Sequence, residues 1–222
     1  MSTESAQASV DAILEAARET IRVEAWGVKE LAEQIDDGFA EAVRIIYGCR
    51  GKVFVTGAGT SGAIARRMAH LFSVCGTPSM FIQAADALHG TMGAMSRGDV
   101  LIAISRGGGS AEINELTRRA QDRGASVIAL TAAPDSELGR AADVVAHVDS
   151  PPGVDPGEVI AMGSTLVAAV WGDAVAVVLM RLRGYGWDSV LHSHPSGAVG
   201  QLTALPDALP PLSSPWPDGA AT

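Results

Sequence analysis

The sequence predicts an α/β domain: a three-layer, doubly wound, five-stranded parallel sheet preceded by N-terminal helices. Three observations carry this. Five short segments, at 52–56 (KVFVT), 79–83 (SMFIQ), 100–105 (VLIAIS), 126–131 (SVIALT) and 144–148 (VVAHV), are rich in β-branched residues and almost continuously apolar, as strands covered on both faces are. Helical patterns lie between them, notably at 62–74 and 110–123. Glycine-rich turns follow the first and third of these strands and open the helices, and in such a sheet ligands sit beyond the carboxyl ends of the strands.

Residues 9–47 carry apolar positions at helical spacing, with Ile13, Ala16 and Ala17 first, and Leu31, Ile35, Phe39, Val43 and Ile46 after a break near Gly27. Residues 1–48 are therefore read as two helices of the same domain as 49–200. After the fifth strand, DSPPGVDPG at 149–157 reads as a loop. A long apolar stretch then runs from 159 to about 182. Ser164, Thr165, Gly172 and Asp173 interrupt it, so it is read as a helix buried in protein and no membrane span is expected. Residues 201–222 hold five prolines and no period, which predicts a tail that is disordered or draped over the surface.

At 222 residues and 47% hydrophobic, the chain can bury one good core and is too short for two large domains. Sixteen basic residues against twenty-five acidic ones give a net charge of −9 with no Lys/Arg cluster, which argues against nucleic acid as a partner. Cys49 and Cys75 lie in apolar stretches with neither metal-ligand nor CxxC spacing, which suits reduced, buried thiols. Residues 1–19 put acids where an export signal needs a basic start. A cytoplasmic protein is expected.

The turn GAGTSG at 57–62 has the form GxGxxG in its strand-turn-helix context. Its glycines let backbone N–H groups approach a phosphate at a helix N-terminus, with Gly59, Thr60 and Ser61 as the candidate contacts. A dinucleotide site wants an acid at the end of the second strand, and Gln83 stands there, with Asp86 three residues on. By itself this turn fits a dinucleotide, another phosphate ligand or a structural tight turn equally. A second turn, SRGGGS at 105–110, decides for a shared phosphate: Ser105 and Ser110 offer hydroxyls, Gly108 and its neighbours allow close backbone approach, and Arg106 is a bidentate donor or a solvated loop charge. Ser110 also suits a helix N-cap. Ser164 and Thr165 add hydroxyls at the start of the long helix, or serve that helix alone.

The strand-plus-GAGTSG turn, VLIAISRGGGS, AADALHGTMGAM at 84–95 and HSHPSGAVG at 192–200, in that order, resemble the SIS (sugar isomerase) family. More narrowly, the chain is similar to the arabinose-5-phosphate isomerase group without its CBS modules. The resemblance covers about 51–200. It implies a five-stranded parallel sheet, a homodimer or homotetramer, and aldose–ketose interconversion of a sugar phosphate through an enediol, with no redox cofactor; His192, His194 and His89 lack a cysteine or carboxylate cluster at ligand spacing, so no metal is expected. It also implies that His89 and His194 correspond to histidines of two of the family's motifs, the second among its catalytic residues. The sequence departs from the group at Thr60, where the family has lysine, and at Gly109, where it has glutamate. Gly107 replaces a serine, Gly153 lies near a lost acid, and Thr91 changes HGD to HGT.

Isomerisation needs a base beside the carbonyl and groups that polarise the developing enediolate. Histidine suits the base, and His194, next to Pro195 and a glycine turn, and His89 are the candidates. His192 stays open, while His70 and His147 are read as structural. Of the carboxylates Asp86, Asp155 and Glu158, Glu158 is best placed to replace a lost base, and Glu112 is read as serving its helix dipole. A sugar-phosphate sensor without turnover is the alternative.

Overall fold

The computed structural model describes residues 3–216. Its helices are α1 (Thr3–Glu30), α2 (Asp37–Gly48), α3 (Gly59–Val74), α4 (Ala84–Ala87), α5 (Ala111–Asp122), α6 (Glu137–Ala141), α7 (Gly163–Arg183), α8 (Trp187–Ser193) and α9 (Gly197–Gly200). The strands are β1 (Val53–Gly57), β2 (Ser79–Phe81), β3 (Val100–Ile104), β4 (Ser126–Thr131) and β5 (Val144–His147). All pair in parallel, in the order β2-β1-β3-β4-β5. The order reverses between β1 and β3, which makes their carboxyl ends the topological switch point.

Alternation along the strands builds two cores. Val53, Val55, Ile102, Ile104, Ile128 and Leu130 face α2, α3 and α7, whereas Phe54, Leu101, Ala103, Val127 and Ala129 face α4, α5 and α6. Both faces are covered, which is why the strands read as unbroken apolar runs. On the first face Phe39 meets the buried Trp171 edge-on at 5.8 Å. The helix α7 is long and apolar enough to cross a membrane, but here it packs on α3, α1 and α2, with Val167, Trp171, Val175 and Leu179 buried.

Two element boundaries differ from the sequence reading. The break expected near Gly27 does not occur: α1 runs through it, and the chain turns at Ile35 and Asp36, where the Asp36 carboxylate accepts from the N–H groups of Gly38 and Phe39 and caps α2. Gly27 is instead a close-approach position. A Cβ there would stand 3.0 Å from a Val154 methyl, on the side where α1 meets α7. The helix expected from 159 starts only at Gly163, and Val159 is 85% exposed. The reason is Asp155, whose Oδ1 accepts from Met162 N (2.9 Å) and Ser164 N (3.0 Å) and fixes the first turn there.

Gln34 and Asp149 exchange hydrogen bonds, Gln34 Nε2 to Asp149 O (2.9 Å) and Asp149 N to Gln34 Oε1 (2.8 Å), tying the N-terminal segment to the loop that carries Asp155. After α9 the chain has no regular structure to residue 216. It lies against the body through Arg181 Nε donating to Pro210 O (2.7 Å), Trp187 Nε1 donating to Asp207 O (2.9 Å), and Trp216 beside Tyr47. The remainder of the predicted tail, 217–222, lies outside the described residues. Cys49 and Cys75 are free and half-buried, and burial pushes both thiols up.

Candidate active site

The two glycine turns sit side by side over the switch point, because β1 ends at Gly57 directly beside Ile104 at the end of β3. The second turn is fastened to the scaffold. The Arg106 carbonyl accepts from Ala132 N and Thr131 Oγ1, both at 3.0 Å, and Gly108 N donates to Ser105 O at 3.1 Å. The Gly108 carbonyl accepts from Leu138 N (3.2 Å) and Asn114 Nδ2 (3.3 Å). Gly108 is buried with φ +62°, and a Cβ there would overlap Ser136. Gly107 and Gly109 differ from it, since a Cβ on either meets nothing within 4 Å.

On one side of the first turn lies a small cleft of about 50 Å³, lined by Ile64, Ile104, Leu130 and Val148 and by Ser61, Arg106, Ser164 and Thr165. Arg106 Nη2 donates to Ser150 Oγ (3.3 Å) and lies 3.6 Å from Asp149, while Nη1 is 3.7 Å from Asp155. Asp155 is 3% exposed. Burial pushes its carboxyl up, but hydrogen bonds from the Ser164 side chain and N–H and from Met162 N–H, with the Arg106 charge, outweigh that and hold it below the usual carboxylate range. The buried group is therefore an anion at neutral pH, seated at the N-terminal end of α7 where the helix dipole favours it.

On the other side lies an open groove of about 550 Å³, walled by Gly57, Ala58 and Gly59, by Arg66 and Phe81, and by Gln83 and Glu112. The structure thus gathers Ser61, Arg106, Ser164 and Thr165 around the cleft and Gly59 into the groove. Thr60 is exposed on the turn between them. Ser105 is 8% exposed behind Arg106, and Ser110 is the N-cap residue of α5, but its hydroxyl makes no capping bond.

The three proposed acid–base residues stand apart from both spaces. His89 is exposed after α4, and its N–H donates to Asp86 O. His194 ends α8, half-buried, with Nδ1 2.8 Å from Val190 O. Glu158 has φ +56°, and its carboxylate accepts from Gly153 N at 2.6 Å. Among the described residues no group of three His, Cys, Asp or Glu is placed to hold a metal ion. The sequence reading missed Arg66. It falls on the same helical face as Gly59, Gly62 and Ala63, a spacing that links it to the first turn.

Residues 45–177 match the SIS domain family model. The chain belongs to the SIS domain family. This SIS domain is 37% identical over 190 residues to the arabinose 5-phosphate isomerase GutQ of Salmonella typhi, a match that covers 86% of this chain and 59% of GutQ. The chain therefore spans about three-fifths of the length of the curated relatives it matches. Among solved structures, a candidate sugar-phosphate isomerase of Listeria monocytogenes superposes with a TM-score of 0.81 at 33% identity, covering 84% of this chain and 98% of that one. A protein of Escherichia coli CFT073 in complex with arabinose 5-phosphate gives 0.80 at 30% identity, covering 83% and 98%.

Proposed function

We propose that this SIS domain is a cytoplasmic aldose–ketose isomerase of a phosphosugar, with arabinose 5-phosphate or a related pentose or hexose phosphate as substrate. The observation that carries the reading is the pair of turns at the switch point, Gly57–Gly62 and Ser105–Ser110, in a fold matched over 83% of this chain by a protein solved with arabinose 5-phosphate. The phosphate is held at these turns, and the sugar chain lies along the cleft edge toward Arg106, Ser164 and Thr165. A base removes the proton from the carbon next to the carbonyl, the electron pair forms the enediolate, and the proton returns to the former carbonyl carbon as the second hydroxyl becomes the new carbonyl. Neither a redox nor a metal cofactor is called for by this proton traffic.

Because His89, His194 and Glu158 all stand apart from the cleft in one chain, we assign them as acid–base groups to a site completed by a neighbouring copy in a homodimer or homotetramer. The apolar stripe Val10, Ile13, Leu14 and Ile21 on α1, 46–68% exposed, supports such an assembly. Incubation with a panel of pentose and hexose phosphates in D₂O tests the reading: C2–H exchange followed by NMR is expected for the substrate, and no exchange with any member of the panel counts against it. His194→Ala is expected to lower kcat while leaving sugar-phosphate affinity in place. Thr60 and Gly109, where the family resemblance leads one to expect a lysine and a glutamate, favour a second reading as a sensor, which predicts thermal stabilisation by a phosphosugar without exchange.

A further inference from the structure

We propose that Asn114, a buried residue of α5, is a positioning residue for phosphate binding: by holding the Gly108 carbonyl inward it aims the Gly109 N–H at the ligand. The assignment rests on the reading above, in which the phosphate is held at the two turns. Asn114 is 7% exposed, and its Nδ2 donates to Gly108 O at 3.3 Å, beside Leu138 N, which donates to the same oxygen at 3.2 Å. A carbonyl only accepts, so the nitrogen end of the amide is the one that faces it.

The peptide bonds of this turn are trans. In a trans peptide the N–H of one residue points opposite to the carbonyl of the residue before it. Fixing the Gly108 carbonyl on buried partners therefore turns the Gly109 N–H outward. The Arg106 carbonyl, held by Ala132 N and Thr131 Oγ1, does the same for the Gly107 N–H, while the Gly108 N–H between them turns back to Ser105 O. Gly107 and Gly109 are exposed and Gly108 is buried, in keeping with this alternation. Among the described residues neither the Gly107 nor the Gly109 N–H has an acceptor, and a Cβ on either residue would meet open space. Two unpaired N–H groups flanking a left-handed glycine form an anion-binding concavity. Neither residue carries a side chain, so the backbone is all that these positions offer a phosphate.

Packing does not account for the amide. Ile113, Leu116 and Ala120 are the buried apolar residues of α5, and Asn114 Oδ1 is buried among them without a hydrogen-bond partner, which is destabilising. A leucine would fill the position without that penalty and would release one of the two holds on the Gly108 carbonyl. The bond to Gly108 is what the amide supplies.

Titration calorimetry with arabinose 5-phosphate and with inorganic phosphate, on the wild type, Asn114→Leu and Asn114→Ala, tests this. Leucine is expected to weaken both ligands by the same factor, about threefold to tenfold, the range of one neutral hydrogen bond. The unliganded Tm should stay at or above the wild-type value, because the unpaired oxygen is gone. A residue that only packs would do the reverse, moving Tm and leaving the affinity of the folded protein unchanged. Should leucine crowd the core and lower Tm, alanine, which cannot, carries the same expectation for binding. In protein isotope-labelled at glycine, the amide resonance of Gly109 should shift when phosphate is added to the wild type, and shift less in the leucine variant. Variants that bind both ligands within about twofold of the wild type, or a Gly109 resonance that phosphate does not move, overturn the assignment and leave the proposed function standing. A wild type that binds neither ligand overturns both.

Discussion

Gly108→Ala is expected to destabilise the SIS domain by about 2–4 kcal/mol and to lower Tm by about 5–15 °C. Two causes add. At φ +62° an alanine is strained whatever the space, and the new methyl would overlap the Ser136 hydroxyl and come within 2.5 Å of its Cβ. Neither neighbour can give easily, because Ser136 caps α6 through Gly139 N (3.2 Å) and the Gly108 carbonyl is itself held by Leu138 N and Asn114 Nδ2. The internal control is the same change on either side. Gly107→Ala and Gly109→Ala meet open space without positive φ and are expected within about 0.5 kcal/mol of the wild type. Denaturant melts of the three variants check this, and a Gly108→Ala protein as stable as the other two would refute the account of the turn.

Removing the Asp155 carboxylate is the second large effect. Asp155→Ala strips α7 of its remote cap, leaves the N–H groups of Met162 and Ser164 without their acceptor, and frees one side of Arg106. A loss of about 2–4 kcal/mol is expected, since a cap alone contributes about 1 kcal/mol and an orphaned buried donor about 1–3 kcal/mol. Asp155→Asn retains an acceptor oxygen and should cost less. The pH dependence has a definite sign. The folded carboxyl is held below its unfolded value of about 4, so its stabilisation is complete above that pH and is lost as the pH falls through the lowered folded value. Stability measured from pH 6 down to pH 2 should therefore decline less steeply in Asp155→Asn than in the wild type. Equal acid limbs would mean that the charge contributes nothing.

Much of the fold was legible because its signals are local. The five apolar runs fall on the five strands, and the alternation with helices correctly implied parallel pairing covered on both faces. What was not legible depended on distant partners. Gly27 looks like a helix break until Val154 is seen against it, and the start of α7 is set by Asp155, seven residues before the first N–H it holds. The site divides the same way. Turn chemistry, which names residue types near strand ends, singles out Ser61, Arg106, Ser164 and Thr165, and these four line the cleft. Arg66 was passed over because its neighbour on β2, Phe81, is contributed by a different segment, and only that contact makes it a fixed cation rather than one more charge on a helix surface. Turn composition likewise could not show that the three glycines at 107–109 are unlike one another, or that both histidines lie away from the cleft within one chain.

That inequality among the glycines bears on what the second turn can accept. Gly108 is locked by its surroundings, but at 107 and 109 the space in front of the backbone is vacant. The positions where the resemblance expects a serine and a glutamate are the two that a side chain can enter without moving the turn. The scaffold therefore has room for a serine at 107 or a glutamate at 109 with the turn unchanged.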